Sequence, residues 1–244
     1  MAVRNWCCRI GRRAAFIAAA CMVISAQGVA LSVMDTPAPR GGVKVIVLDP
    51  GHGGGNLGVT GAEDAAEKQL MLRLARKISE RLASEFTVQL TRTGDYDLSL
   101  KDRTSIANHH GADLFISLHA GGSSSSGASG WTVYHDRRKA VSRFGRETGQ
   151  APFLWDQVQQ RHIPSSVMLA EMIAKRLEVN AAREQTVDVM EAPLAVLSGA
   201  DMPAVVVEAG CLTHLPTAQA FAAEEFIGGV ADDIAMGVFD FFAR

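Results

Sequence analysis

The sequence predicts an α/β fold: a single domain built on a mostly parallel, twisted sheet of about six strands, with helices on both faces. Two patterns lead there. Short apolar runs rich in Val, Ile and Leu alternate with longer segments whose apolar residues recur at helical spacing, and such alternation favours a covered parallel sheet. Three of the apolar runs also stop at or just before a histidine or glutamate followed closely by glycine. In α/β proteins functional groups gather where strands end.

Taken in order, the chain opens with Arg4, Arg9, Arg12 and Arg13, then an apolar run from Ala14 to Ile24, then small residues near Gly28-Val-Ala30. That layout predicts a secretory signal peptide over residues 1–30 and hence an exported protein, periplasmic or cell-wall associated. Arg12-Arg13 loosely resembles a twin-arginine signal, and Ala18-Ala-Ala-Cys21 a lipoprotein box, although the apolar run continues past Cys21. Residues 31–43, broken by Pro and Gly, read as a linker, and residues 44–244 as the folded domain. Cys7, Cys8 and Cys21 fall in the signal, which leaves Cys211 alone in the exported part and excludes an internal disulfide there.

The first strand is expected over 44–49. It ends at Pro50, which has no N–H to give a ladder, and runs into Gly51-His52-Gly53-Gly54-Gly55, where glycines clear space around the imidazole. A helix over 66–84 follows, with Met71, Leu74, Ala75, Ile78 and Leu82 on one face and Glu67 in its first turn. Next come a strand over 87–91, a helix over 99–110 and a strand over 114–119, where Asp113-Leu-Phe-Ile-Ser-Leu-His-Ala120 delivers a second strand-end histidine. The Gly121–Gly130 stretch is a low-complexity loop. Strands over 131–134, 194–197 and 204–208 and helices over 165–179 and 217–242 complete the expectation, with Glu208 closing the last strand. Residues 135–164, basic at first and then apolar through Pro152-Phe-Leu-Trp155, fit either a wall over a site, a shortened lid or a structured loop.

Two strand-end histidines, His52 and His119, suggest paired metal ligands, because imidazole is the commonest neutral ligand for zinc. A catalytic zinc needs a third protein ligand and an open position, and Glu67 is the acidic candidate; an acid in a first helical turn also suits the helix dipole. Glu208 is a carboxylate at the end of a hydrophobic strand, a costly burial unless it is paired or has work to do. Asp49 either orients a ligand histidine or caps a turn. Arg92 either meets a carboxylate of a ligand or pairs with Asp95 or Asp97. Ser117 shares a strand face with His119, and His214 suits a loop or a helix cap.

The blocks Leu48-Asp-Pro-Gly-His-Gly-Gly54, Glu67-Lys68, Leu90-Thr-Arg92, Gly111-Ala-Asp-Leu-Phe-Ile-Ser-Leu-His-Ala120 and Pro203-Ala-Val-Val-Val-Glu-Ala-Gly210 occur in one order across residues 41–244. In that order they resemble the zinc-dependent N-acetylmuramoyl-L-alanine amidases, cell-wall hydrolases of the amidase type 3 family that act in cell separation. The resemblance implies a zinc exopeptidase-like catalytic domain over 44–244. It implies a Zn2+ ion held by His52, Glu67 and His119, and Glu208 as the catalytic general base. The substrate would be peptidoglycan, cut at the amide between N-acetylmuramic acid and L-alanine of the stem peptide. A zinc exopeptidase or carboxypeptidase acting within wall peptides is the alternative, and a non-catalytic wall-binding protein a third. The chain departs from the family at Gly121-Gly-Ser-Ser-Ser-Ser126, where Asn is usual, and at Cys211 and His214, where Phe and Asn are usual. These positions bear on substrate contacts and cleft shape. Some relatives carry a helix over the zinc near 135–164 that an activator protein removes; the sequence names no such activator here.

At 244 residues the chain suits one substantial core. A net charge of -2 gives no reason to expect a nucleic-acid partner, and a monomer is expected.

Overall fold

A computed structural model describes residues 42–61, 66–122, 130–137, 155–179 and 187–244. The expected signal peptide over 1–30 and nearly all of the linker over 31–43 lie outside the described residues. No helix among the described residues is long and apolar enough to cross a membrane.

The strands are β1 (Val45–Pro50), β2 (Thr87–Leu90), β3 (Leu114–Gly121), β4 (Trp131–Asp136), β5 (Val187–Ala192) and β6 (Ala204–Cys211). The helices are α1 (Glu67–Leu82), α2 (Leu100–His109), α3 (Ile163–Val179), α4 (Leu215–Ala222) and α5 (Glu224–Phe242), with 3-10 helices at Trp155–His162 and Ala195–Leu197. The six strands form one sheet in the order β2-β1-β3-β6-β4-β5. All neighbours run parallel except β4 against β6.

β1, β3 and β6 sit in the middle and are buried on both faces, which is why they read as continuous apolar runs rather than alternating ones. One face carries the larger core. There Leu70, Met71, Leu74, Ile78 and Leu82 of α1, recurring at three- and four-residue steps, pack with Ile46, Leu48, Ile116 and Val207 and with α3 and α5. The other face is covered by α2 and the Ala195–Leu197 turn, through Ala107, Val196 and Leu197 against Val47, Phe115 and Val206.

Two expectations change. The fifth strand is Val187–Ala192, not 194–197. β5 is an edge strand, with Asp188 to Glu191 exposed, so it carries no apolar run to betray it. The apolar Leu194-Ala-Val-Leu197 instead folds as a 3-10 turn that drives Val196 and Leu197 into the second core. The expected helix over 217–242 is two helices, because Ala223 is extended (φ -84°, ψ 127°). The break lets Phe221 and Ile227 both reach the core, and it starts α5 on Glu224 and Glu225, acids suited to a helix N-terminus.

The end of the 135–164 segment belongs to the framework. Gln159 is fully buried, donates to the carbonyls of Ala200 and Met202, and accepts from Ser166, whose hydroxyl also accepts from Ala204 N–H. Residues 138–154 lie outside the described residues.

Candidate active site

The site gathers where β1, β3 and β6 end. β1 stops at Pro50, and the chain turns through His52 with φ +61°, the only non-glycine residue of positive φ among the described residues. Such a conformation is rare for a residue with a Cβ and needs support from its surroundings. Glu67 opens α1 and is 2% exposed, so it does more than face the helix dipole from solvent. His119 lies near the end of β3, in register with Glu208 on β6.

His52 Nε2 is 3.0 Å from Glu67 Oε1, and His119 Nδ1 is 3.1 Å from the same oxygen. The two imidazoles meet edge to face, with ring centres 4.9 Å apart. Candidate ligand atoms from His52, Glu67 and His119 all lie within 4.8 Å of one another. The backbone makes room for this cluster. A Cβ on Gly51 would overlap the His119 ring, and one on Gly58 (φ +69°) would overlap the Glu67 carboxylate and come 2.7 Å from the His52 ring.

Two of the three are held from behind. Glu67 Oε2 accepts from Val59 N–H at 2.8 Å, and Oε1 accepts from Ala120 N–H at 3.0 Å. His52 Nδ1 is 3.0 Å from Asn56 Oδ1, an acceptor that favours a proton on Nδ1 and leaves Nε2 as the ligating nitrogen. Burial pushes the Glu67 carboxyl up, but hydrogen bonds from His119, His52 and the two backbone N–H groups outweigh it and hold the pKa at about 2. The same hydrogen bond to Glu67 raises His52 above the ordinary imidazole value, against the opposing effect of burial. Two imidazole nitrogens and an ionised carboxylate, converging on one point in an open cleft, are a donor set that fits a catalytic zinc with three protein ligands.

Glu208 stands apart from that cluster. Its Oε2 is buried and has no hydrogen-bond partner among the described residues. Burial raises its pKa above the ordinary carboxylate value, and the nearby Glu67 adds to the rise while His119 and His52 oppose it. All four residues line a cleft of about 750 Å³, together with Tyr134 of β4 and Asp188 of β5. A second cavity of about 450 Å³, walled by Leu100, Leu194 and Val196, meets the first at His119, Tyr134 and Glu208.

Other expectations resolve differently. Among the described residues Asp49 hydrogen-bonds no histidine. It is fully buried and accepts from Thr91 Oγ1 (2.5 Å), Ser117 Oγ (2.7 Å) and Arg103 Nη1 (2.8 Å). Ser117 therefore supports the site only through Asp49, its register partner on β1. Arg92 makes neither of the contacts expected of it: it is 1% exposed, and its hydrogen bonds go to backbone carbonyls, while Asp95 pairs with Lys68 at 2.7 Å. His214 takes the N-cap position of α4 without a side-chain cap hydrogen bond, and its Nδ1 lies 3.0 Å from Thr217 Oγ1. Cys211 and Gly121, two of the departures from the family pattern, do line the cleft.

Asn56, Lys68 and Arg103 escaped the sequence reading. Asn56 carries a signal in hindsight: it lies four residues after His52 inside the glycine-rich turn, where an amide can reach back to the ring. Arg103 carries none, since the partners that place it at the site, Asp49, Pro50 and His52, lie more than fifty residues away in sequence.

Residues 46–240 match the family model of N-acetylmuramoyl-L-alanine amidase. The chain belongs to that family. AmiA of Escherichia coli K12 is 30% identical over 230 residues, covering 83% of this chain and 77% of AmiA. AmiC of Neisseria meningitidis is 31% identical over 229 residues, covering 83% of this chain and 55% of AmiC. Among solved structures, AmiC2 of Nostoc punctiforme superimposes with a TM-score of 0.69 at 25% identity, covering 83% of this chain and 99% of that one. The catalytic domain of CwlV from Paenibacillus polymyxa does so with 0.68 at 27% identity, covering 82% and 98%. Membership makes the chain a peptidoglycan amidase, a hydrolase; the peptide-cutting and non-catalytic alternatives are not favoured.

Proposed function

We propose that the chain hydrolyses the amide between the lactyl group of N-acetylmuramic acid and L-alanine of the stem peptide, with Glu208 as general base and His52, Glu67 and His119 as zinc ligands. The observation that carries the assignment is the pairing of a three-donor cluster with a separate, unpartnered carboxylate in one cleft.

Amides resist hydrolysis because water is a weak nucleophile and the amine a poor leaving group. Zinc, when bound, supplies Lewis acidity that polarises the carbonyl and makes water acidic near neutral pH. The residues of the chain do the rest. Glu67, held ionised by its hydrogen bonds, and the two imidazoles would hold the metal in the cleft that Glu208 also lines. Glu208 takes a proton from the attacking water and returns it to the departing amine of L-alanine, the two halves of general acid–base catalysis. Its raised pKa suits both: a carboxylate that is too acidic would accept the proton but not give it up readily. No serine or cysteine nucleophile is required.

The reading extends to the cell. A signal peptide over 1–30 and a linker over 31–43 would deliver the 44–244 domain as a monomer to the periplasm or cell wall, where such cleavage serves cell separation. Mass spectrometry of muropeptides after incubation with the purified domain tests the activity. Released intact stem peptides that begin with L-alanine, lost on chelation and restored by zinc, are expected. Products shortened within the stem peptide would overturn the assignment.

A further inference from the structure

Arg92 is buried to 1% exposure, and no carboxylate hydrogen-bonds its guanidinium among the described residues. Burying a guanidinium is costly unless its N–H groups are satisfied. Here they are spent on backbone carbonyls from three separate segments. Nε donates to Pro50 O at 2.9 Å, Nη1 to Gly94 O at 3.1 Å, and Nη2 to both Gly51 O (2.8 Å) and Lys68 O (2.6 Å). The last pair is the informative one. Gly51 immediately precedes His52, and Lys68 immediately follows Glu67. One nitrogen therefore ties together the two peptide segments that carry two of the three candidate ligands, which come from the end of β1 and the start of α1.

Neighbouring contacts hold the same turn from its other sides. Arg103 Nη2 donates to His52 O at 2.8 Å and Nη1 to Pro50 O at 2.9 Å, with its charge matched by Asp49. Lys68 Nζ donates to Gly54 O and to Asp95 Oδ2, both at 2.7 Å, while Asp95 Oδ1 accepts from Gly54 N–H. The turn needs such support because His52 sits at φ +61°. Without outside contacts, that conformation would relax toward the negative-φ regions and swing the imidazole away from Glu67.

We propose that Arg92 is a positioning residue for the metal site: its guanidinium sets the spacing between His52 and Glu67 before any metal arrives. The proposal rests on the reading of those residues as zinc ligands. A guanidinium suits the task because its planar fork offers several donors in fixed directions, whereas a lysine ammonium keeps the charge but cannot span Gly51 O and Lys68 O with the same geometry.

The test is Arg92→Lys in the purified chain, with zinc dissociation constants measured by competition with a chromophoric chelator. Ile234→Ala, a core truncation in α5 at a residue that does not line the cleft, serves as a control for general loss of stability. Arg92→Lys should bind zinc roughly 10–100-fold more weakly, the usual cost of losing support behind metal ligands. Its cobalt-substituted form should show an altered visible spectrum, and saturating zinc should restore most of the turnover. Ile234→Ala should lose stability and keep zinc affinity. Unchanged zinc affinity and cobalt spectrum in Arg92→Lys, or an equal loss of affinity in Ile234→Ala, would overturn the proposal. If wild type itself binds no zinc, the ligand assignment fails first. Should Arg92→Lys not fold, exchange of the Arg92 Nε proton in wild type decides. Protection already present in metal-free protein supports the proposal, and protection that appears only after zinc is added overturns it.

Discussion

His119 and Glu208 are register partners on adjacent central strands, β3 and β6, yet only His119 joins the Glu67 cluster. Their strands are hydrogen-bonded neighbours, so the distance between the proposed metal ligand and the proposed general base is set by the sheet itself rather than by a loop. This is a rigid mount for a reaction in which a misplaced base loses rate.

That separation yields the first prediction. Glu208→Gln should retain zinc and fold while turnover of muropeptides falls on the order of 10²–10⁴-fold, the cost of removing a positioned general base. His52→Ala should lose both zinc and activity. Parallel metal content and product analysis check this. Equal zinc loss in the two variants would instead make Glu208 a fourth ligand that closes the site, as in structural zinc proteins.

The raised pKa of Glu208 sets a pH dependence. A general base must be ionised, so kcat/KM should fall as the pH drops through the value of Glu208 in the zinc-loaded protein. Stability has the opposite sign. A carboxyl with a folded pKa above its unfolded one destabilises the fold where it is ionised, and that penalty disappears as the pH falls below the unfolded value. Metal-free Glu208→Gln should thus melt at or above the wild-type temperature near neutral pH, with the gap closing by about pH 4. Calorimetry across that range measures it, and a variant less stable than wild type at pH 7 would count against the buried, unpartnered state of Oε2.

Asn56 gives a subtler effect. Its Oδ1 lies 3.0 Å from His52 Nδ1 and accepts from Gly58 N–H at 3.2 Å. Asn56→Ala should keep the fold and weaken zinc binding by roughly 10–100-fold, because the ring loses the partner that sets its tautomer and orientation. Chelator competition reads the change; unaltered zinc affinity would show the ring to be fixed by packing alone.

Why the sequence exposed some of this and concealed the rest follows from range. His52, Glu67, His119 and Glu208 stood out as candidates because each lies close to the start or end of an element that its apolar pattern marks, and β1, β3 and β6 were legible because burial on both faces makes them apolar throughout. β5 was not, because an exposed edge strand has no such pattern. The roles of Asp49 and Arg92 could not be read either. Apart from Gly94 O beside Arg92, their partners come from segments tens of residues distant, and nothing in the local composition says whether a charged residue will meet a ligand, another charge or a carbonyl.

Asp49 offers the largest expected loss of stability. It is fully buried and gathers Arg103, Thr91 and Ser117 from α2, the loop after β2, and β3. Arg103 is 3% exposed, so removing its counter-charge leaves an uncompensated guanidinium in a poorly solvated place. Breaking a buried pair in this way costs about 3–5 kcal/mol, a large share of the ~5–15 kcal/mol that holds a typical domain together. Asp49→Ala should therefore unfold at markedly lower urea or temperature than wild type. Asp49→Asn, which keeps an acceptor for Thr91 or Ser117 but not the charge, should lose less. Because Arg103 also donates to His52 O, zinc affinity should fall alongside stability in Asp49→Ala. Urea titration with chelator competition on the same samples tests both parts. A variant that unfolds like wild type would mean that Arg103 is satisfied by its carbonyl partners alone.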